Sequence, residues 1–187
     1  MNKIEENIGP NTKAILAIHI QGQPCDMLKI NKIAKKHNLI VIEDAAQAFA
    51  CVNDGVKVGV EGDIICLSFD GIKNITSGEG GAVITNDENI ISFVKDARLL
   101  GVEKDTEKRY EGQRSWDFDV KHQGYRYHMS NIFAAIGREQ LKKINSIEKK
   151  RKEIVNYYLE NLKNIPQIQT LDFDFKSIIS HIFVVKT

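Results

Sequence analysis

The chain opens on a polar stretch, Met1 to Lys13, and then alternates short apolar runs with amphipathic ones. Ala14 to Ile20 is a mostly apolar run of strand length, the pattern of a strand covered on both faces. Gly22 and Pro24 break it. Asp26 stands where it can cap a helix from Met27 to about His37. That segment repeats Met27, Ile30, Ile33 and Ala34 at helical spacing and carries Lys35, Lys36 and His37 at its negative end. Leu39 to Ile42 is a second apolar run. Strand, helix and strand with short links make a βαβ unit, so the two strands should be parallel and the crossover right-handed.

Two more apolar runs follow glycine-rich segments: Ile64 to Phe69 after Gly55 to Gly62, and Ala82 to Thr85 after Gly78 to Gly81. Asp87 caps a further helix through about Leu100, with Ile90, Ile91, Val94 and Ala97 toward the sheet. Residues 101–123 read as a polar connection anchored by Trp116 and Phe118. Ser130 starts a helix to about Ile144, which Gly137 weakens, and a second helix runs from about Ile147 to Leu162. Pro166 ends the helical region. Ile168 to Phe173 and Ile182 to Val185 are strand-like. The pattern is that of an α/β protein.

Composition narrows the function classes. With 187 residues, 26 Lys+Arg against 25 Asp+Glu, 42% apolar and 27% charged, the chain can bury a core of its own. It is no collagen, coiled-coil rod or disordered tail, and it has no net positive field for nucleic acid. No run is long enough for a membrane helix, and the N-terminus has no signal-peptide core, so a cytoplasmic location is expected. Cys25, Cys51 and Cys66 are odd in number and lack a CxxC pair, which reads as reduced thiols. No His/Cys/Asp spacing reads as a metal site. The run Lys149 to Lys152 reads as a solvated helix face.

In open α/β sheets, ligands sit beyond the C-terminal ends of the strands. Glu43 and Asp44 follow one strand and Lys73 follows another, and neighbouring strand ends lie roughly 5–10 Å apart. On position alone this is either a surface ion pair or a reactive pair. The segment Ser68-Phe69-Asp70-Gly71-Ile72-Lys73-Asn74-Ile75-Thr76-Ser77-Gly78-Glu79-Gly80-Gly81 adds small hydroxyls and turn glycines around that lysine. It is not a Walker loop, and no GxGxxG follows the first strand, which disfavours a nicotinamide dinucleotide fold.

Ile42-Glu43-Asp44-Ala45-Ala46-Gln47-Ala48, then Gly62-Asp63, Ser68-Phe69, Lys73-Asn74 and Gly78-Glu79-Gly80-Gly81, in this order, resemble the DegT/DnrJ/EryC1/StrS family. Its members are pyridoxal-phosphate sugar aminotransferases of fold type I. The upstream Asn11-Thr12-Lys13-Ala14-Ile15, His19, Gly22-Gln23-Pro24 and Asp26-Met27 are also similar, as are Ala134-Ala135-Ile136-Gly137 and Gln140-Leu141. The resemblance runs from Ile8 to about Tyr158. It implies part of the fold type I large domain, a mostly parallel sheet flanked by helices. Residues 1–164 would belong to that domain with its trailing helices, and 165–187 would begin a small C-terminal domain.

The resemblance also implies roles. Lys73 would form the Schiff base with pyridoxal 5'-phosphate and shuttle the proton. Asp44 would pair with the pyridinium nitrogen and keep the ring an electron sink. Gln47 would lie near the ring's phenolic oxygen, and Ser68 would donate to the phosphate. Many members carry G-x-N-Y-R-M where this chain has Gly124-Tyr125-Arg126-Tyr127-His128-Met129. Arg126 thus stands where an asparagine reaches the partner subunit's cofactor phosphate; a guanidinium suits that role, or a sugar diphosphate, or the surface.

The substrates implied are a nucleotide-linked keto-deoxysugar and glutamate as amino donor, with the site shared across a homodimer. His19 is a core or near-site histidine, His37 a helix-end charge, and the Ser180-His181 pair falls where the family approaches its substrate. Full-length members are nearly twice as long, so the chain is expected to be a fragment that holds the cofactor weakly. The rival readings are a non-catalytic partner or remnant and a sugar dehydratase of the same family. The dehydratases replace the lysine with histidine, so Lys73 argues against that one.

Overall fold

The computed structural model describes residues 2–103, 111–112, 118–120 and 122–187; Trp116 lies outside them. A short helix, α1 (Asn2–Glu6), precedes β1 (Ala14–Ile18), a 3-10 turn (Ile20–Gly22), α2 (Met27–His37) and β2 (Ile40–Asp44). A two-residue hairpin follows, β3 (Val52–Asn53) with β4 (Val56–Lys57), then β5 (Ile64–Ser68), β6 (Gly81–Thr85) and α3 (Glu88–Ala97). Two consecutive helices, α4 (Asn131–Lys142) and α5 (Ile144–Leu162), lead to β7 (Gln169–Thr170) and β8 (Val185–Lys186).

The main sheet has the order β1-β2-β5-β6. β1, β2 and β5 are parallel, as the βαβ pattern requires, and β6 returns antiparallel to β5. This is the expected α/β architecture with a mostly parallel sheet. The crossover helix α2 begins where Asp26 accepts from the Lys29 N–H at 3.1 Å and ends at Asn38, whose φ of 52° is left-handed. Its buried face, Met27, Ile30 and Ala34, packs on Ala17 and Val41. Each of its large side chains contributes about 1.5–3 kcal/mol by leaving water.

On β1, β2 and β5 that face is the better covered one. The strands were expected to be buried on both sides, but Leu16, Ile18, Ile40 and Val83 share the other face and remain exposed. α2 sits on one side, so alternate side chains of β1 and β2 meet no helix. A run of apolar residues cannot reveal which of its two faces is covered.

Boundaries shift where backbone chemistry intervenes. α3 stops at Ala97, short of Leu100, because Leu100 and Gly101 take positive φ of 66° and 75°. Gly137 is accommodated in α4 because the helix passes close to the glycine-rich loop: a Cβ there would lie 3.3 Å from Ser77 Cβ. The two strand-like pieces near the end shrink to a two-residue pairing of β7 with β8. Between them Phe173, Phe175, Ile178 and Ile179 turn inward onto Ala48 and Cys51 and form a second buried cluster. All three cysteines are unpaired, and burial pushes the Cys51 thiol up to about 11. Among the described residues no helix is long and apolar enough to cross a membrane.

Candidate active site

Because β1, β2 and β5 are parallel, their C-terminal ends open on one edge of the sheet, and the predicted residues collect there. Asp44 is the last residue of β2 and stands opposite Cys66 of β5. Ser68 ends β5, two residues beyond Cys66 and therefore on the same face as Asp44. Both are half-buried. Asp44 accepts from the Ala46 N–H at 3.1 Å, which leaves most of the carboxylate's acceptor capacity open. Ser68 accepts from the Asp70 N–H at 3.4 Å.

Gln47 lies in the turn after β2, and its carboxamide oxygen accepts from the Gln21 N–H at 2.8 Å. That bond leaves the amide N–H₂ end as its donor. Gln21 itself has a positive φ of 60°, and Gly22 next to it has φ of 92°. A Cβ at Gly22 would lie 2.7 Å from the Ile179 carbonyl oxygen, so only glycine fits this approach.

Lys73 is half-buried in the loop beyond β5, with its N–H donating to the Asp70 carbonyl at 3.1 Å. The loop is held from below by Asn74, whose Nδ2 donates to the carbonyls of Phe49 and Ile179, both at 3.1 Å. Phe49 and Phe69 meet edge to face at 5.8 Å across the same junction. Three strand-end loops are thereby tied to one another and to the segment 177–181. That segment is fastened further by His181 N–H to the Gln21 carbonyl and by Ile179 N–H to Cys51 Sγ.

His181 is buried beside Lys73. Burial, and then the charges of Lys73 and Arg151, hold its imidazole below its ordinary range. Its Nδ1 and the Asn74 Oδ1 are buried atoms with no protein partner. A carboxylate, a carboxamide, a hydroxyl and an amine at two adjacent strand ends, with two unpartnered polar atoms nearby, fit a polar, phosphate-bearing aromatic cofactor.

Glu43 does not join this group. Its side chain points to the opposite face from Asp44, where it is fully buried. Its carboxylate accepts from His19 Nε2 at 3.0 Å, from the N–H groups of Gly59 and Glu61 at 3.2 and 3.0 Å, and from the Gly62 N–H. Burial alone would raise the carboxyl, but these donors together hold it below its ordinary range. The Cys25 N–H donates to His19 Nδ1 at 3.0 Å, which assigns the proton of the imidazole to Nε2 and its direction to Glu43. The core reading of His19 is the one realised. His37 bonds Glu5 at 3.2 Å at the end of α2.

Arg126 is exposed and lines a cleft of about 670 Å³ with Arg98, His128, Gly80 and Gly81, whose floor includes Cys66 and Val83; Lys73 is not among the residues that line it. That floor is one strand removed from Asp44. Three residues of the site escaped sequence reasoning. The pattern gives Asn74 and Arg98 no role, and Arg151 stands in a run that reads as a solvated helix face. Lys149 and Lys150 keep to that solvated face, whereas Arg151 turns inward. An arginine one turn ahead of Val155, the buried residue of α5, was the available signal.

The profile of the DegT/DnrJ/EryC1/StrS aminotransferase family matches residues 1–187. The chain belongs to this family. It is similar to the GDP-perosamine synthase of Escherichia coli O157:H7, at 40% identity over 173 residues, which is 90% of this chain and 43% of that protein. It is also similar to the UDP-4-amino-4,6-dideoxy-N-acetyl-beta-L-altrosamine transaminase of Campylobacter jejuni, at 34% identity over 184 residues, 98% of this chain and 46% of that one. Among solved structures it superposes on Helicobacter pylori PseC, an aminotransferase involved in pseudoaminic acid biosynthesis. The TM-score is 0.82 at 29% identity, covering 97% of this chain and 47% of PseC. The chain spans less than half the length of the curated relatives it matches.

Proposed function

We propose that this chain carries the lysine-bearing part of a pyridoxal-phosphate-dependent aminotransferase that converts a nucleotide-linked keto-deoxysugar to an amino sugar, with glutamate as amino donor. The observation that carries the reading is the gathering of Asp44, Gln47, Ser68 and Lys73 at the C-terminal ends of adjacent strands, in a member of this family. Relatives named for GDP- and UDP-linked amino sugars support the substrate class.

When bound, pyridoxal phosphate supplies an electron sink for the carbon that loses its proton. The Lys73 amine would be the nucleophile toward the cofactor aldehyde and would hold and return that proton. The Asp44 carboxylate would keep a proton on the ring nitrogen. Ser68 would donate its hydroxyl to the phosphate, and Gln47 would present its amide N–H₂ to the ring oxygen. Arg126 and its neighbour Arg98 supply positive charge for a phosphate, in trans across a homodimer. Residues 1–164 serve as cofactor-domain sequence and 165–187 as the beginning of the small domain, in a protein of the cytoplasm.

The test is covalent. The chain is incubated with saturating pyridoxal phosphate, its visible absorbance recorded, and the adduct fixed with borohydride and mapped. A band that depends on the chain, and a label on Lys73 that Lys73→Ala removes, are expected. A label spread over surface lysines, unchanged by Lys73→Ala, overturns the reading.

A further inference from the structure

Arg151 lies on α5, far in sequence from Lys73, and its guanidinium is half-buried. Its Nη1 donates to the carbonyls of Ser180 at 3.0 Å and His181 at 3.1 Å, and its Nη2 reaches the Lys73 carbonyl at 3.5 Å. No carboxylate among the described residues lies within ion-pair distance of it, and desolvation alone lowers its pKa. A half-buried cation whose hydrogen-bond partners among the described residues are main-chain carbonyls is unusual, because a carboxylate partner would offset its desolvation far better. What the arrangement gains is geometry. A guanidinium presents five N–H donors in one rigid plane, so it can hold carbonyls from separate segments in fixed relation.

We propose that Arg151 is a positioning residue for Lys73: it draws the carbonyls of Lys73, Ser180 and His181 onto one planar donor and fixes the main chain that carries the reactive amine. Asn74 grips the next residue from the other side, through the Phe49 and Ile179 carbonyls. The lysine's backbone is therefore clamped between α5 and the 177–181 segment. Lysine side chains are long and their amines free to wander, so a fixed origin limits where the amine can reach. A lysine at position 151 would offer a point charge on a flexible stem and could not span the three carbonyls.

This inference rests on the proposed role of Lys73 for its meaning, but its test has an arm that does not. Amide hydrogen exchange is measured on the full chain for wild type, Arg151→Met and Arg151→Lys, with Lys150→Met as a solvated control. Arg151→Met should speed exchange about tenfold or more in peptides covering 70–76 and 177–181, and leave the β1–β2 peptides unchanged. Arg151→Lys should recover part of that protection, and Lys150→Met should match wild type. In the second arm, borohydride-fixed pyridoxal phosphate on Lys73 should fall at subsaturating cofactor in the order wild type, Arg151→Lys, Arg151→Met, with the visible band falling in parallel. Wild-type exchange at both segments in both variants overturns the clamp, as does a uniform rise across the whole chain. If Arg151→Met fails to fold, Arg151→Lys decides: locally faster exchange supports the clamp and wild-type exchange overturns it. Absence of label on Lys73 in the wild type would instead count against the proposed function, and the exchange arm would still report on Arg151.

Discussion

Glu43→Gln is the substitution that asks most of the structure, because it changes one atom and no volume. The carboxylate receives four N–H donors: His19 Nε2 and Gly59 at one oxygen, Glu61 and Gly62 at the other. The glutamine oxygen can serve one pair. Its N–H₂ then faces two donors in a site with no exposure to water. His19 cannot resolve the conflict by moving its proton, since Nδ1 already faces the Cys25 N–H. Breaking a buried charged pair and leaving its donors without acceptors costs roughly 3–5 kcal/mol in all. At about 2–4 °C per kcal/mol for a chain of this size, the melting temperature should fall by roughly 6–20 °C. The acid limb gives an independent check. Glu43 is lowered below its ordinary 4.5 in the folded chain, so its contribution is complete above that value and is lost as pH falls through the folded value. The gap between wild type and Glu43→Gln, followed by circular dichroism, should therefore narrow as pH falls below about 4.5. A variant within about 1 kcal/mol of wild type at neutral pH, or a gap that does not narrow in acid, would refute the four-donor account.

Two further substitutions probe the junction under Lys73. Gly22→Ala combines an unfavourable positive φ with a Cβ driven against the Ile179 carbonyl, and should cost about 2–4 kcal/mol in urea unfolding; a loss below about 0.5 kcal/mol would show that the segment is free to shift. Asn74→Asp should destabilise more than Asn74→Ala, because a carboxylate would face the two carbonyls that Nδ2 now satisfies. Those carbonyls favour the protonated acid, so the Asp variant's deficit should shrink as pH falls, and a pH-independent deficit would contradict this geometry.

Local signals carried most of the fold. The Asp26 cap, the α2 stripe and the short links on either side specify the parallel pair β1 and β2 without reference to the rest of the chain. The adjacency of Asp44 and Lys73 to strand ends was equally local. Facing was not: Glu43 and Asp44 are neighbours in sequence, and strand alternation sends one into the core and the other to the open side. Nor was Arg151 legible as more than one basic residue among four, because its partners are carbonyls, which every residue supplies and no sequence pattern marks. The inward turn of Phe173 to Ile179 was hidden for the same reason: their apolar character fits a strand as well as a loop seated on a core.

The seating of Ile178 and Ile179 has a consequence for how the chain acquires its site. Asn74 is 105 residues from the Ile179 carbonyl it grips, and Cys51 is 128 from its partner in the same segment. These are closures of very long loops, whose entropic cost must be met before their contacts return anything. During synthesis, β1, α2 and β2 can assemble early, while the loop bearing Lys73 must wait for residues 177–181 to emerge. The scaffold and the reactive geometry thus belong to different moments of folding, and the lysine is fixed later than the strands that present it.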